Sequence, residues 1–155
     1  MAHRQILDLE AEQREAIRSR PGESLDKIRQ LILLRGIGAG SSWLYVMEFF
    51  GWRQFANRRE VGAAAGLTPT PHQSGDTSTD QGISKAGNRR VRALMIQLAW
   101  LWLRYQPQSR LSLWYEERFG RGGPRARKVG IVALARKLLI ALWKYVEFTG
   151  VRYVI

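Results

Sequence analysis

Apolar side chains recur every three to four positions along most of the chain, the spacing that gathers them on one face of an α-helix. Residues 4–19 predict a charged helix with a thin apolar seam at Ile6, Leu9, Ala16 and Ile17, ended by Pro21-Gly22. So thin a seam builds no core, and the segment is expected to be a coiled-coil arm or linker helix. Ser24 is expected to cap a second helix carrying Leu25, Ile28, Leu31 and Ile32. A glycine-rich hairpin, Arg35-Gly36-Ile37-Gly38-Ala39-Gly40, follows. Ser41 or Ser42 is then expected to cap a third helix with Trp43, Val46, Met47 and Phe50, closed by Gly51. Asn57 with Glu60 forms a capping box for a short helix that stops at Gly66.

Periodicity stops between Thr68 and Ser84, in TPTPHQSGDTSTDQGIS, a run of turn-forming residues. Ordered loops of this length in compact domains are often functional. Helical spacing resumes near Asn88 with Val91, Leu94, Met95, Leu98, Leu101 and Trp102, and Pro107 breaks it. Ser109 predicts a cap for a helix ending at Gly120. A basic turn, residues 121–125, leads into a last helix over about 126–148, with Ile131, Ala135, Leu138, Leu142 and Tyr145 facing inward and Gly150 as its stop. The fold class expected is all-α: six or seven helices, with at most a small strand pair inside residues 68–84. Val91, Leu94, Leu98, Leu101, Leu138 and Leu142 are expected in the core. The organisation expected is an N-terminal helix over residues 1–22 and a helical domain over 23–150.

Charge changes this picture. The 155 residues carry 25 Lys+Arg against 13 Asp+Glu, a formal +12. Residues 1–26 hold six acids and four bases, so the remainder sums to +14; from Lys85 to Lys144 fourteen bases face only Glu116 and Glu117. Such self-repulsion is tolerated where a polyanion answers it. Nucleic acid fits better than an anionic membrane, because no helix sets a basic face against an exposed apolar one. The chain has no cysteine and only His3 and His72, which excludes disulfides, thiolate zinc sites, a cysteine nucleophile and a histidine-rich metal site. The longest apolar run, Ala93 to Leu103, is broken by Gln97, short of the roughly 20 residues of a membrane helix. An acid-rich start without a signal-peptide pattern leads us to expect a cytoplasmic, nucleoid-associated protein.

Three segments could carry chemistry. In the hairpin, Gly36 and Gly38 permit tight backbone geometry before a helix start whose amides are free for phosphate. The pattern resembles a helix-hairpin-helix module; a plain αα-hairpin turn is the alternative. Within the polar loop, Ser74 precedes Gly75. A serine becomes a nucleophile where its surroundings hold the electrophile in line, but by residue chemistry alone a turn serine is the simpler reading. Third is GISKAGNRRVR, residues 82–92, where Lys85, Arg89, Arg90 and Arg92 crowd a helix start that Ser84 or Asn88 can cap. The helix dipole disfavours cations there. Either a phosphate supplies the missing negative charge or the segment is a solvated face.

In order, LLRGIGAGSSW, REVGAAAGLTPTPHQSGDTSTDQGISKAGNRRVRALMIQLAW and KVGIVALARKLLIALW resemble the C-terminal transposase domain of the insertion-sequence 110 family. The resemblance spans about residues 25–147. It implies a DNA recombinase that moves its element by strand exchange, with a structured RNA specifying the DNA targets and a homo-oligomer as the working form. It implies that Ser74 is the nucleophile that becomes a phosphoserine with a DNA end. Gly66, Leu67 and Pro69 would set the loop's entry, and Lys85, Asn88, Arg89, Arg90 and Arg92 its phosphate-facing exit.

The sequence also departs from the family. Gln73 stands where a small residue usually precedes the Ser-Gly pair, and Asp76 and Asp80 enter a stretch that is often glycine- and base-rich. The acidic RNase H-like domain of the family is absent, and Asp8, Glu12 and Glu15 on one helix make no caged magnesium site. The expectation is therefore a fragment with no cofactor of its own, inactive alone, with magnesium belonging to an acidic partner domain. Two functions remain open: the serine-bearing half of a recombinase, or a non-catalytic DNA- or RNA-binding remnant.

Overall fold

The structure is a computed structural model that describes residues 2–50, 55–67 and 87–147. Among these residues there are seven α-helices and no strand: α1 (Ala2–Ser19), α2 (Glu23–Ile32), α3 (Ala39–Tyr45), α4 (Arg58–Ala64), α5 (Arg89–Tyr105), α6 (Arg110–Tyr115) and α7 (Pro124–Glu147). The chain is all-α, as its periodicity predicts. The region of the expected strand pair lies outside the described residues.

The centre of the fold is α7. Its buried residues, Gly130, Ile131, Leu134, Ala135, Leu138, Leu139, Leu142, Trp143 and Val146, surround most of its circumference, as expected of a helix enclosed by others. Against it lies α5, which buries Val91, Leu94, Met95, Leu98, Ala99 and Trp102. The two run in opposite senses. Arg127 near the start of α7 lines the same groove as Trp100 and Arg104. Further on, the Tyr45 hydroxyl donates to the Leu139 carbonyl at 3.1 Å, while Glu48, one turn after Tyr45, pairs with Arg90 at 2.8 Å. The end of α7 is held to α2 by Tyr145 donating to Gln30 O (3.0 Å) and by the Lys27–Glu147 ion pair (2.8 Å).

Two predicted caps are corrected. Helix α2 starts at Glu23 with Gly22 as its N-cap, so Ser24 is already helical. Helix α3 starts at Ala39 after Gly38, and the buried Ser42 hydroxyl turns back to Gly38 O at 2.8 Å, so neither Ser41 nor Ser42 caps. Glycine leaves both starts sterically open, and Ser42 satisfies its hydroxyl inside the first turn. Helix α3 continues into a π-helical turn, Val46–Phe50. Its wider spacing disrupts the helical stripe, leaving Val46 buried and Met47 36% exposed. Leu101, expected in the core, is half-buried at its rim. The other five expected core residues are buried.

Helix α1 stands apart. Ala16 is its one buried residue, and Ile6, Leu7 and Leu9 are exposed. Arg29 of α2 holds its end: Nε donates to Ile17 O (2.7 Å), Nη2 to Ala16 O (3.4 Å) and to Arg20 O, and Nη1 pairs with Asp26 (2.7 Å). One guanidinium thus satisfies carbonyls that a helix end leaves open.

Candidate nucleic-acid interface

Helix α4 begins and ends as its sequence dictates. Asn57 Oδ1 accepts from Glu60 N at 3.1 Å, and Glu60 Oε2 accepts from Ala56 N at 2.7 Å. At the other end Gly66 turns left-handed at φ 69°. Gly66 N donates to Ala63 O and Leu67 N to Gly62 O, both at 3.0 Å, the Schellman closure of a helix. Leu67 is then buried in the core.

Residues 68–86 lie outside the described residues, and with them Ser74 and Lys85, but both flanks of the segment are fixed. Asn88 N donates to Ala64 O at 2.7 Å. Gly87, at φ 101°, sits so close to the end of α4 that a Cβ there would lie 2.6 Å from Ala64 O and 2.7 Å from Gly66 N. The chain therefore leaves at Leu67 and returns at Gly87 side by side, with α5 starting at the junction. Asn88 caps α5, its Oδ1 accepting from Arg90 N (3.0 Å) and Val91 N (3.1 Å).

The arginines that follow have three different settings. Arg89 is exposed and makes no ion pair among the described residues. Arg90 reaches across to Glu48, so part of its charge is answered within the protein. Arg92 is half-buried, and its Nη1 is enclosed without a hydrogen-bond partner among the described residues; Arg136 Nε is in the same state. A buried charged donor left unpaired costs at least about 1–3 kcal/mol.

The glycine hairpin lies elsewhere. Gly36, at φ 99°, packs against the far end of α5, where a Cβ would lie 3.5 Å from Leu101 O and from Tyr105 Cβ. Gln106 Nε2 donates to Arg35 O at 3.1 Å and ties the turn there. A Cβ at Gly38 would meet nothing within 4 Å, so its backbone is open. Sixteen residues of α5 separate Arg89 from Tyr105, about 24 Å at 1.5 Å per residue. The hairpin and the Asn88–Arg92 cluster thus occupy opposite ends of α5. They are two surfaces, a separation that linear spacing along the chain conceals.

Two features escaped sequence reasoning. Glu48 is the one acid between Lys27 and Glu60 in a basic stretch, and that isolation was the available signal for its pairing with Arg90. The other is a groove of about 300 Å3 lined by Trp100, Leu103, Arg104, Tyr115, Glu116 and Arg127, assembled from three helical elements with no local signature.

Among the described residues no three Asp, Glu or His side chains come together, and the acids of α1 are spread along an exposed helix. Nor is any helix among them long and apolar enough to cross a membrane.

Residues 29–113 match the transposase IS116/IS110/IS902 family, and the chain belongs to it. It is 55% identical over 118 residues to y4rJ of Sinorhizobium fredii, a protein named for a transposase, over 76% of this chain and 30% of that one. It is 32% identical over 117 residues to the transposase for insertion sequence element IS1328 of Yersinia enterocolitica, over 74% of this chain and 34% of that one. With the transposase for insertion sequence element IS1111A of Coxiella burnetii it shares 36% identity over 92 residues, 58% of this chain and 24% of that one. The chain thus spans about a third or less of the length of these relatives.

Proposed function

We propose that this chain is the serine-bearing, DNA-binding part of an insertion-sequence transposase and contributes the nucleophile for strand exchange. The observation that carries the reading is the junction of Leu67 with Gly87, which tethers both ends of the Ser74 segment beside the start of α5. There Asn88, Arg89 and Arg92 offer donors and cations to a phosphodiester. In the proposed step the Ser74 hydroxyl oxygen bonds to phosphorus, the bridging oxygen of one strand leaves, and the serine proton passes to it. Attack by another strand's hydroxyl reverses the step and releases the serine. The cations stabilise the equatorial oxygens as charge develops.

The domain count, the helix-hairpin-helix role of Gly36 and Gly38, the guide RNA and the homo-oligomer belong to the same proposal. So does a divalent ion, which an acidic domain would bring. Among the described residues the acids are dispersed, which favours a second reading, that the chain binds nucleic acid without chemistry of its own.

One experiment separates the readings. The chain is combined with the acidic domain of a relative, structured RNA, magnesium and labelled target DNA, and denaturing gels are scored for a protein–DNA adduct. An adduct that is lost in Ser74→Ala, with DNA binding retained, supports the recombinase reading. An adduct that persists in that variant, or maps to Ser78 or Ser84, removes Ser74 as nucleophile. Binding without any adduct leaves the non-catalytic reading.

A further inference from the structure

We infer that the groove between α5, α6 and the start of α7 binds one unstacked nucleotide of a single strand, with Trp100 as its stacking platform. The inference rests on the nucleic-acid reading above and adds a subsite at the end of α5 opposite Asn88.

Trp100 is 46% exposed. Among the described residues its indole meets no ring, cation or hydrogen-bond acceptor, whereas Trp102 donates to Ser109 (2.8 Å) and Trp114 lies under Lys137 (4.7 Å) and Arg118 (5.8 Å). Trp100 is set with Leu103 in the wall of a groove, where its exposed face can meet a planar or apolar ligand. The charge around it selects between these. Arg104 and Arg127 line the groove with Glu116 as its one acid, and Arg125 and Lys128 stand exposed on the same turns of α7. Such a field favours a polyanion over an apolar peptide.

Size narrows the ligand. A groove of about 300 Å3 is at the small end of ligand sites; it admits a base and sugar, and a duplex is too wide for it. The walls are firm. Tyr115 is buried, with its hydroxyl donating to Arg127 O at 3.4 Å, and Arg127 Nη2 donates to Gly120 O at 3.2 Å. The Glu116 carboxylate can accept from an exocyclic amine, and the guanidinium groups can meet the flanking phosphates. Aromatic stacking beside arginines is the general means of holding single strands. In strand exchange, unpaired nucleotides must exist at the crossover, so such a subsite has a ligand there.

The test uses the full chain with a short fluorescein-labelled oligodeoxycytidylate and a duplex of the same length, read by fluorescence anisotropy across a salt series. Trp100→Ala should weaken single-strand binding about tenfold or more, the size of one lost base stack. Trp100→Phe should retain most of the affinity, and duplex binding should change less than twofold in both. Arg104→Ala with Arg127→Ala should lower the single-strand salt slope by about 1.4, at roughly 0.7 per lost phosphate contact. Circular dichroism checks that each variant is folded. Equal loss for single strand and duplex, or no loss in Trp100→Ala, overturns the subsite and leaves duplex binding standing. A Trp100→Ala variant that changes the oligomeric mass but not single-strand affinity makes the patch a protein interface and also overturns it. Failure of the wild type to bind either DNA overturns the subsite and the nucleic-acid reading together.

Discussion

Replacing Gly87 by alanine tests whether the junction of α4 with α5 is the staple that its geometry indicates. At φ 101° an L-residue enters a backbone region that suits glycine, at a cost of about 1–2 kcal/mol. The new Cβ would also lie 2.6 Å from Ala64 O, 2.7 Å from Gly66 N and 2.8 Å from Ala63 O. These are backbone atoms of a closed helix end and cannot swing aside as a side chain would. Overpacking of this kind costs about 1–3 kcal/mol, so the sum is about 2–5 kcal/mol. For a chain of this length each kcal/mol moves Tm by about 2–4 °C, so a fall of about 4–20 °C is expected by far-UV circular dichroism. Gly40→Ala is the control: it lies inside α3 with nothing within 4 Å, where alanine should stabilise by about 0.5–1 kcal/mol. A Gly87→Ala protein that melts with the wild type, while Gly40→Ala behaves as expected, would refute the tight junction.

Leu98→Ala should cost about 2–5 kcal/mol by denaturant titration, since Leu98 is buried between α5 and its neighbours. Burial pushes the Tyr45 phenol well above its ordinary 10.0. The folded state therefore resists its ionisation, so stability should be full below pH 10 and fall as pH rises beyond it; Tyr45→Phe should reduce this alkaline loss while costing about 1 kcal/mol at neutral pH for the bond to Leu139 O. Removing Arg89, Arg90 and Arg92 together should flatten the duplex-binding salt slope by about two units, at roughly 0.9 per contact. Three contacts would give more, but Arg90 is shared with Glu48.

The parts of this fold legible in the sequence are those decided within a few residues. Asn57, Asn88 and Ser109 cap the helices they precede, and Gly66 ends α4, because each choice turns on one side chain or one φ angle. Serines near glycine misled: Ser24 and Ser42 have capping chemistry, but a preceding glycine took the position. Of the candidate site, Asn88 and the arginines after it were visible as a charge pattern against the helix dipole. That Gly36 lies at the opposite end of α5 was not, since position along a helix partner is set by tertiary packing. The Trp100 groove was hidden for the same reason: its walls come from residues 100, 115 and 127, which no periodicity relates.

The clasp of Arg29 on the last turn of α1 makes that helix a lever. Eighteen residues extend about 27 Å, and the buried contact is confined to Ala16 near one end. A pivot of about 10° at the clasp carries the far end through roughly 5 Å, a displacement comparable to one helical turn. Pull or torque applied to α1 is therefore delivered at Arg29 and Asp26 of α2, which packs against the end of α7, and directly to α3.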